Sequence, residues 1–445
     1  HNATADVEAT TRCFLELVRR GVFSSEELQQ EDKYLEDFKA FNPAPIGLVG
    51  IRHLNLKKES AKLILEVEEE IDNIDKSEAL GELADYSFAH LHNHTQYSIL
   101  QSTIDVKSLV ATAGKMNMRA VAMTDTGNMM AAFHFEKAVT DFNNSQKAKQ
   151  KEAEENGETY EFTELIPIIG CEFNVCGDHT NKSVKDNGYQ VVFLAKNKKG
   201  YQNLIKLASI AYTEGMYYVP RIDKRLIEEY KNDIIVLSGN LYGEIPSLVL
   251  NVGEKQAEDA LIWWKSTFQE NFYVEIMRHD QENERRVNAT LIELAKKHSV
   301  KLVAANNTYY IDKEDAESHD LLLCIKDNEL VETPKGRGRG FRYALENEEY
   351  YFKSQDEMKE LFLDLPEAIQ SIDEIIDQIE HYPLAREVLL PAFEIPEKFT
   401  DEKDAKDGGK RGENNYLRHL TYEGANKRYG EITDEIRERL DFELS

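Results

Sequence analysis

The sequence predicts an α/β fold: a distorted seven-stranded βα barrel followed by a mainly helical region. Two observations carry that expectation. Short apolar runs begin near Phe88, Ala120, Ile166, Val191, Ile234, Phe272 and Leu302, and helical patterns at 106–116, 201–211, 257–269 and 285–298 lie between most of them. Such alternation reads as a parallel sheet, and seven strands over roughly 220 residues suit a barrel better than a small open sheet. Polar residues gather where the runs end: His92, His94, Asp125, Glu172, Ser238 to Asn240, His279, Asn306 and Asn307. The carboxyl ends of strands are where barrels and open α/β sheets build their sites.

At 445 residues the chain is too long for one ordinary domain. Lys and Arg number 54 against 82 Asp and Glu, a net charge of −28. That balance excludes a general nucleic-acid surface, so any such contact has to come from a local basic patch. The four cysteines (Cys13, Cys171, Cys176, Cys324) form no CxxC pair, which fits reduced thiols in a cytoplasmic protein. No apolar run of about 18 residues and no signal peptide is present, so neither a membrane nor export is expected. The chain opens at His1 with a helical pattern almost at once and closes at Ser445 shortly after another. Both ends read as cut from something longer.

Along the chain, residues 7–20 pattern as an amphipathic helix with Val7, Phe14, Leu17 and Val18 inward. Residues 24–86 are charged and weakly patterned, with a Pro- and Gly-containing break at 41–50, and read as a linker. Residues 147–158 form a charged insertion, a solvated helix or loop. Ile369, Ile372, Ile376 and Ile379 make one helical stripe; Tyr422, Ala425, Tyr429, Ile432 and Ile436 make another. The polar, Gly-rich stretch 401–415 between them reads as mobile.

The strongest chemical candidate is His92 and His94 with Glu172. The i, i+2 spacing puts both imidazoles on one face of an extended segment. Two histidines and a carboxylate can hold zinc, manganese or iron, and equally can be a hydrogen-bonded cluster at a barrel mouth. Asp125, in Met123–Thr124–Asp125–Thr126–Gly127–Asn128, either orients a ligand histidine or caps the next helix. His279 also follows a strand, where a lone histidine is commonly structural. His1 and Asp6, five residues apart at a helix start, could be a base and a metal ligand, or Asp6 a helix-terminal charge. Lys335, Arg337, Arg339 and Arg342, in the Gly-spaced loop PKGRGRGFR, could grip phosphates with Phe341 stacking, or could be solvated.

The runs FAHLHNHTQYSIL, RAVAMTDTGNM, PIIGCEFNV, FLAKNKKGYQNLIKLAS, VLSGNLYGEIPS, YVEIMRHDQENERRVN and KLVAANNTYYIDKEDAESHDLLLCI follow one another in order. Together they resemble the PHP domain of the bacterial DNA polymerase III alpha-subunit family. YYFKSQDEM and the tail NNYLRHLTYEGANKRYGEITDEIRERLDFEL continue the likeness into the start of that family's palm region. HNATADVEATTRCFLELVRRGVF resembles the third motif of DnaQ-like proofreading exonucleases. The resemblance implies an exonuclease remnant over 1–25, a linker over 26–86, a PHP barrel over 87–312 and the start of the palm over 313–445.

It further implies an intact replicative DNA polymerase with a fused 3′–5′ exonuclease, acting on primer-template DNA and dNTPs with Mg2+, and working with a sliding clamp and clamp-loader subunits. The polymerase acids would lie beyond Ser445 and most exonuclease acids before His1, so the fragment would not polymerise alone. His1 would be the exonuclease base and Asp6 a metal ligand there. PHP barrels hold up to three metals that hydrolyse phosphoesters. Here His92 and His94 match the first two ligands, Glu172 the bridging carboxylate and Asp125 the aspartate of a TDH motif. His279 matches a histidine common in these polymerases.

The departures are many. Thr126, Gln101, Gln190, Asn240, Asn307 and Tyr309 stand where the family has histidine, aspartate or cysteine ligands. An amide is a poor ligand for a divalent cation. The expectation is therefore a degenerate PHP domain, holding at most one divalent ion and kept as scaffold. Its replaced ligands should hydrogen-bond one another and the surviving acids. The alternative is an active PHP phosphoesterase.

Overall fold

A computed structural model describes residues 3–47, 76–336, 338–386, 388 and 393–445. The strands are β1 (Ala120–Met123), β2 (Ile166–Cys176), β3 (Tyr189–Ala195), β4 (Arg221–Asp223), β5 (Ile234–Leu237), β6 (Phe272–Met277) and β7 (Lys301–Ala305). They form one curled sheet in the order β1-β2-β3-β5-β6-β7, with β4 paired to β2. Nearly every strand residue is buried on both faces, as continuous apolar runs require when helices cover the outside.

The expected all-parallel sheet is corrected. β3 runs antiparallel to both β2 and β5, while β1–β2, β2–β4, β5–β6 and β6–β7 are parallel. The stretch 177–188 between β2 and β3 contains no helix to carry a parallel crossover, and the chain doubles back as a hairpin. The short strand β4 escaped the periodicity, being three residues with an arginine and an aspartate.

The Phe88 run, expected as the first strand, is not a regular strand, yet it does a strand's work. The Ala122 and Thr124 amides donate to His90 and Asn93 carbonyls, both at 2.9 Å, on one side. On the other, the His94 amide donates to the Thr308 carbonyl at 3.0 Å and the Thr308 amide to the His92 carbonyl at 3.3 Å. The segment thus lies between β1 and the residues after β7, and closes the ring.

The helices are α1 (Ala3–Arg19), α2 (Asp32–Phe41), α3 (Lys76–Glu82), α4 (Val106–Lys115), α5 (Ala132–Glu155), α6 (Lys198–Thr213), α7 (Lys224–Tyr230), α8 (Glu244–Asn251), α9 (Glu254–Phe268), α10 (Glu282–His298), α11 (Ala316–Asp327), α12 (Gln355–Leu361), α13 (Pro366–Ile376), α14 (Asp404–Asp407), α15 (Arg411–Tyr429) and α16 (Asp434–Glu443). Side-chain caps set several starts. Asp105 accepts from the Lys107 and Ser108 amides, and Asn197 from the Lys199 and Gly200 amides.

α1 forms where its pattern predicts, but Val7 and Phe14 face outward and the buried residues are Val18 and Glu16. Glu16 is held by Arg19, Arg20 and the Ile46 amide, which explains a carboxylate in that position. The expected linker contains α2 and α3, and its residues 48–75 lie outside the described set.

Packing does not break at 312. Ile369, Ile372, Ile375 and Ile376 of α13 are buried in the same core as β6 and β7. Asp373 accepts from the Ser87 amide and hydroxyl and pairs with Arg119, and Arg278 grips Asp364 with two nitrogens at 2.5 and 2.6 Å. The first compact unit therefore ends at Ala385, and a second covers Arg386–Ser445. Within that second unit, Arg411 is paired to Asp404 and Asp407, and Tyr422 donates to Asp441. Of its expected stripe Ala425 is buried, but Tyr429, the last residue of α15 before Gly430 (φ +74°), is exposed.

Ile372→Ala should lower the unfolding free energy of the whole barrel by about 2–5 kcal/mol. Calorimetry is expected to show the main transition shifted to lower temperature. An unchanged barrel transition with a new early one would mean that α13 folds apart.

Candidate metal centre

Four elements converge on the barrel mouth. The closing segment brings His92 and His94, β2 brings Glu172, β6 brings Glu275, and the turn after β7 brings Asn307. All five are at most 5 % exposed. His92 Nε2 stands 3.2 Å and His94 Nε2 3.9 Å from the same oxygen, Glu172 Oε2. The ligand atoms of the three lie within 4.8 Å of one another. Ligands at about 2.0–2.2 Å from a tetrahedral ion stand about 3.3–3.6 Å apart, so the set fits one divalent cation with little movement.

The other nitrogen of His92, Nδ1, is 2.9 Å from Glu275 Oε1. Sequence reasoning missed Glu275; the signal was an acid inside the apolar run FYVEIM. Burial disfavours a charged ring, but Glu275 and then Glu172 outweigh it and push the His92 pKa up to about 10. His94 has no comparable partner, and burial takes its pKa down to about 3. Its Nε2 lies 3.1 Å from Asn307 Oδ1, and its ring stacks on Tyr309 at 4.5 Å between centroids.

The residues that depart from the family's ligands form the expected polar net. Thr126 Oγ1 donates to Glu172 Oε1 at 3.0 Å, placed by the turn at Gly127 (φ +68°). Asn240 Nδ2 donates to Gln190 Oε1 at 3.2 Å and reaches Glu172 Oε2 at 3.5 Å. Asn307 Nδ2 donates to the Tyr309 hydroxyl at 3.3 Å. Gln101 takes no part through its side chain here; its carbonyl is 2.8 Å from His319 Nε2.

Asp125 neither orients a ligand histidine nor caps α5, whose N-cap is Ala131. It accepts from the Thr95 amide, the Thr95 hydroxyl and the Ser98 hydroxyl, all at 2.7 Å, and so pins the loop after His94. Burial raises its pKa against those bonds. His279 stays apart from the metal set. Its Nδ1 is 2.6 Å from Glu284, its ring stacks on Tyr350, and it lines a cavity of about 290 Å3 with Asn307, Tyr309 and Lys335.

The basic loop divides. Arg342 is buried and bound to Asp320 through two nitrogens at 2.8 and 2.7 Å, so this expected phosphate contact is committed elsewhere. Lys335 is largely exposed but 3.3 Å from Asp320, and Arg339 is exposed. Arg337, His1 and the side chain of Asp6 lie outside the described residues.

Among the described residues, one other group of three could approach a cation: Asp178, His179 and Asp223. Arg225 occupies it, donating to Asp178 at 2.8 Å and Asp223 at 2.7 Å, while His179 Nδ1 sits 2.6 Å from Asp223. Burial pushes the Asp223 carboxyl up, but Arg225 and His179 outweigh it and hold the pKa down to about 2, against an ordinary 3.8. A depressed carboxyl stabilises the fold above its unfolded pKa and loses that contribution as pH falls toward the folded value. Asp223→Asn should therefore cost about 2 kcal/mol at pH 7. In denaturant titrations from pH 7 to pH 2 the gap should hold to about pH 4 and close toward pH 2.

Comparison with known proteins places this geometry. Residues 90–279 match the PHP domain family. The chain is 35% identical over 365 residues to the DNA polymerase III subunit alpha of Borreliella burgdorferi, covering 80% of this chain and 28% of that protein. The Treponema pallidum subunit is 33% identical over 367 residues (81% and 28%), and that of Thermus aquaticus 32% over 358 (77% and 26%). The chain thus spans less than a third of the length of these relatives. A solved amidohydrolase from Chromobacterium violaceum aligns with 50% of this chain and 87% of its own, at 8% identity and a TM-score of 0.31, too slight a likeness to argue from. Over residues 90–279 the chain is thus similar to the PHP domain family, and over about four-fifths of its length to bacterial DNA polymerase III alpha subunits.

Proposed function

We propose that the chain is part of a replicative DNA polymerase III alpha subunit whose PHP domain is a non-hydrolytic scaffold holding at most one divalent ion. The observation that carries this is the surroundings of Glu172. One of its oxygens faces two histidines, while its other neighbours are a hydroxyl and an amide. Bridged-metal hydrolysis needs two ions about 4 Å apart, and Gln190, Asn240, Asn307 and Tyr309 offer a second ion only neutral oxygens. His92, His94 and Glu172 would hold the single ion, which would tie the closing segment to β2. Such an ion supplies Lewis acidity and a polarised water when bound.

In the intact enzyme, the activity is template-directed DNA synthesis from dNTPs with Mg2+, alongside a fused 3′–5′ exonuclease to which His1 and Asp6 would contribute. Sliding clamp and clamp loader are the proposed partners, and the cytoplasm the proposed location. Residues 313–445 would begin the palm, the part up to Ala385 being packed on the barrel. The similarity to polymerase alpha subunits over about four-fifths of the chain supports this reading.

Metal analysis by mass spectrometry after dialysis without chelator should find zero or one transition metal per chain, with no turnover of phosphomonoesters or phosphodiesters. Two or three metals with turnover would establish the rival reading, an active phosphoesterase.

The exposed loop cations Lys335 and Arg339 are the proposed phosphate contacts, with Arg337 beside them. Replacing Lys335 and Arg339 by alanine should make the slope of log K for primer-template DNA against log salt shallower by about 2. An unchanged slope would leave the loop solvated.

A further inference from the structure

We infer that Glu275 is the positioning residue of the metal centre: its carboxylate holds a proton of His92 on Nδ1, so that a divalent cation arriving beside Glu172 displaces the proton on Nε2 and meets that nitrogen. The inference rests on reading His92, His94 and Glu172 as a one-ion site.

Glu275 is an odd residue for its place. It sits inside β6, among Phe272, Tyr273, Val274, Ile276 and Met277, and is only 2 % exposed. An ionised carboxylate is costly to bury unless it is fully partnered. Its backbone is well served, the amide donating to Ser238 Oγ at 2.9 Å. Its side chain is not: Oε1 meets His92 Nδ1 at 2.9 Å, and among the described residues Oε2 has no hydrogen-bond partner. A valine there would suit a barrel strand better, so the carboxylate's one evident task is the histidine ring. A carboxylate on the far nitrogen of a ligand histidine fixes its tautomer and raises its basicity.

The contrast with His94 sharpens the assignment. Its Nδ1 is buried without a partner among the described residues, and its Nε2 faces Asn307 Oδ1. His94 must therefore give up Asn307 to ligate an ion, whereas His92 already faces the partner ligand Glu172 Oε2 and exchanges its Nε2 proton for the shared cation. Glu172 and His92 form the prepared half of the site.

The test is Zn2+ alone, titrated into the purified chain against a chromophoric chelator, for the natural sequence and for Glu275→Gln. Affinity should fall about 10–100-fold in the variant, read under conditions where the metal-free variant shows the natural sequence's circular dichroism. Equal affinity in the two would overturn the role of Glu275 and leave the one-ion reading standing. No binding by the natural sequence at millimolar Zn2+ would overturn both the role and the ion. Two equivalents bound would overturn the one-ion reading alone, with the affinity ratio still deciding Glu275. Should Glu275→Gln fail to fold, long-range 15N–1H spectra of the Zn2+-loaded natural protein decide instead. A His92 ring protonated at Nδ1 and metal-shifted at Nε2 supports the inference, and the reverse tautomer overturns it.

Discussion

Ring closure by residues 88–94 is the constraint on which the rest of the barrel depends. A curled sheet with β1 at one edge and β7 at the other leaves two rows of unpaired backbone groups. The segment from Phe88 to His94 fills the gap, giving carbonyls to Ala122 and Thr124 on one side and exchanging bonds with Thr308 on the other. Because it is extended, alternate residues face the interior, so His92 and His94 arrive together at the mouth. Closing the barrel and building the site are one event in this chain. Asp125 secures it by holding Thr95 and Ser98 immediately downstream.

The second constraint is charge. Glu172, Glu275 and Asp125 are all buried, each needing compensation in a low-dielectric interior. Asp125 is satisfied by three neutral donors. Glu172 and Glu275 share His92, which stands between them and is held toward its charged form. A cation among His92, His94 and Glu172 would relieve the same field. Thr126 and Asn240 add neutral donors to Glu172, which lowers the need for any further ion. Thr126, Asn240, Gln190 and Asn307 thus keep the mouth hydrogen-bonded around the buried acids.

Much of this was legible in the sequence for physical reasons. Long apolar runs alternating with helical periods mark strands and helices whose burial drives folding, so β1, β2, β5, β6 and β7 and the helices between them fall where the pattern puts them. Strand direction was not legible at β3, because a hairpin and a crossover leave similar apolar runs; what separates them is that the 177–188 connection holds no helix. Val7 and Phe14 misled because periodicity states which residues share a face and not whether anything covers it. The His92–His94 pair was readable from its spacing, since i, i+2 residues share a face. Glu275 was not, because an acid within an apolar strand is noise until a partner is known, and that partner lies 183 positions earlier in the chain. Arg342 shows the converse error: a basic loop looks like a phosphate grip until Asp320, on α11, is seen to occupy one of its cations.

The boundary between barrel and following region illustrates why domain limits resist sequence reading. The pattern changes after 312, yet α13 packs against β7, Met358 of α12 joins the same core, and Arg119, Arg278 and Ser87 reach across to Asp373 and Asp364. Those contacts make the segment up to Ala385 an outer layer of the barrel. A scaffold in this position has a mechanical logic. The barrel's own closure passes through Phe88, whose amide donates to Gln355 on α12, so the helices after the barrel and the segment that closes it are bonded to each other. Any ion at His92 and His94 would brace the same segment from inside. The proposed ion and the downstream helices would thus grip one stretch of chain from opposite sides, which gives the site a structural use that is independent of hydrolysis.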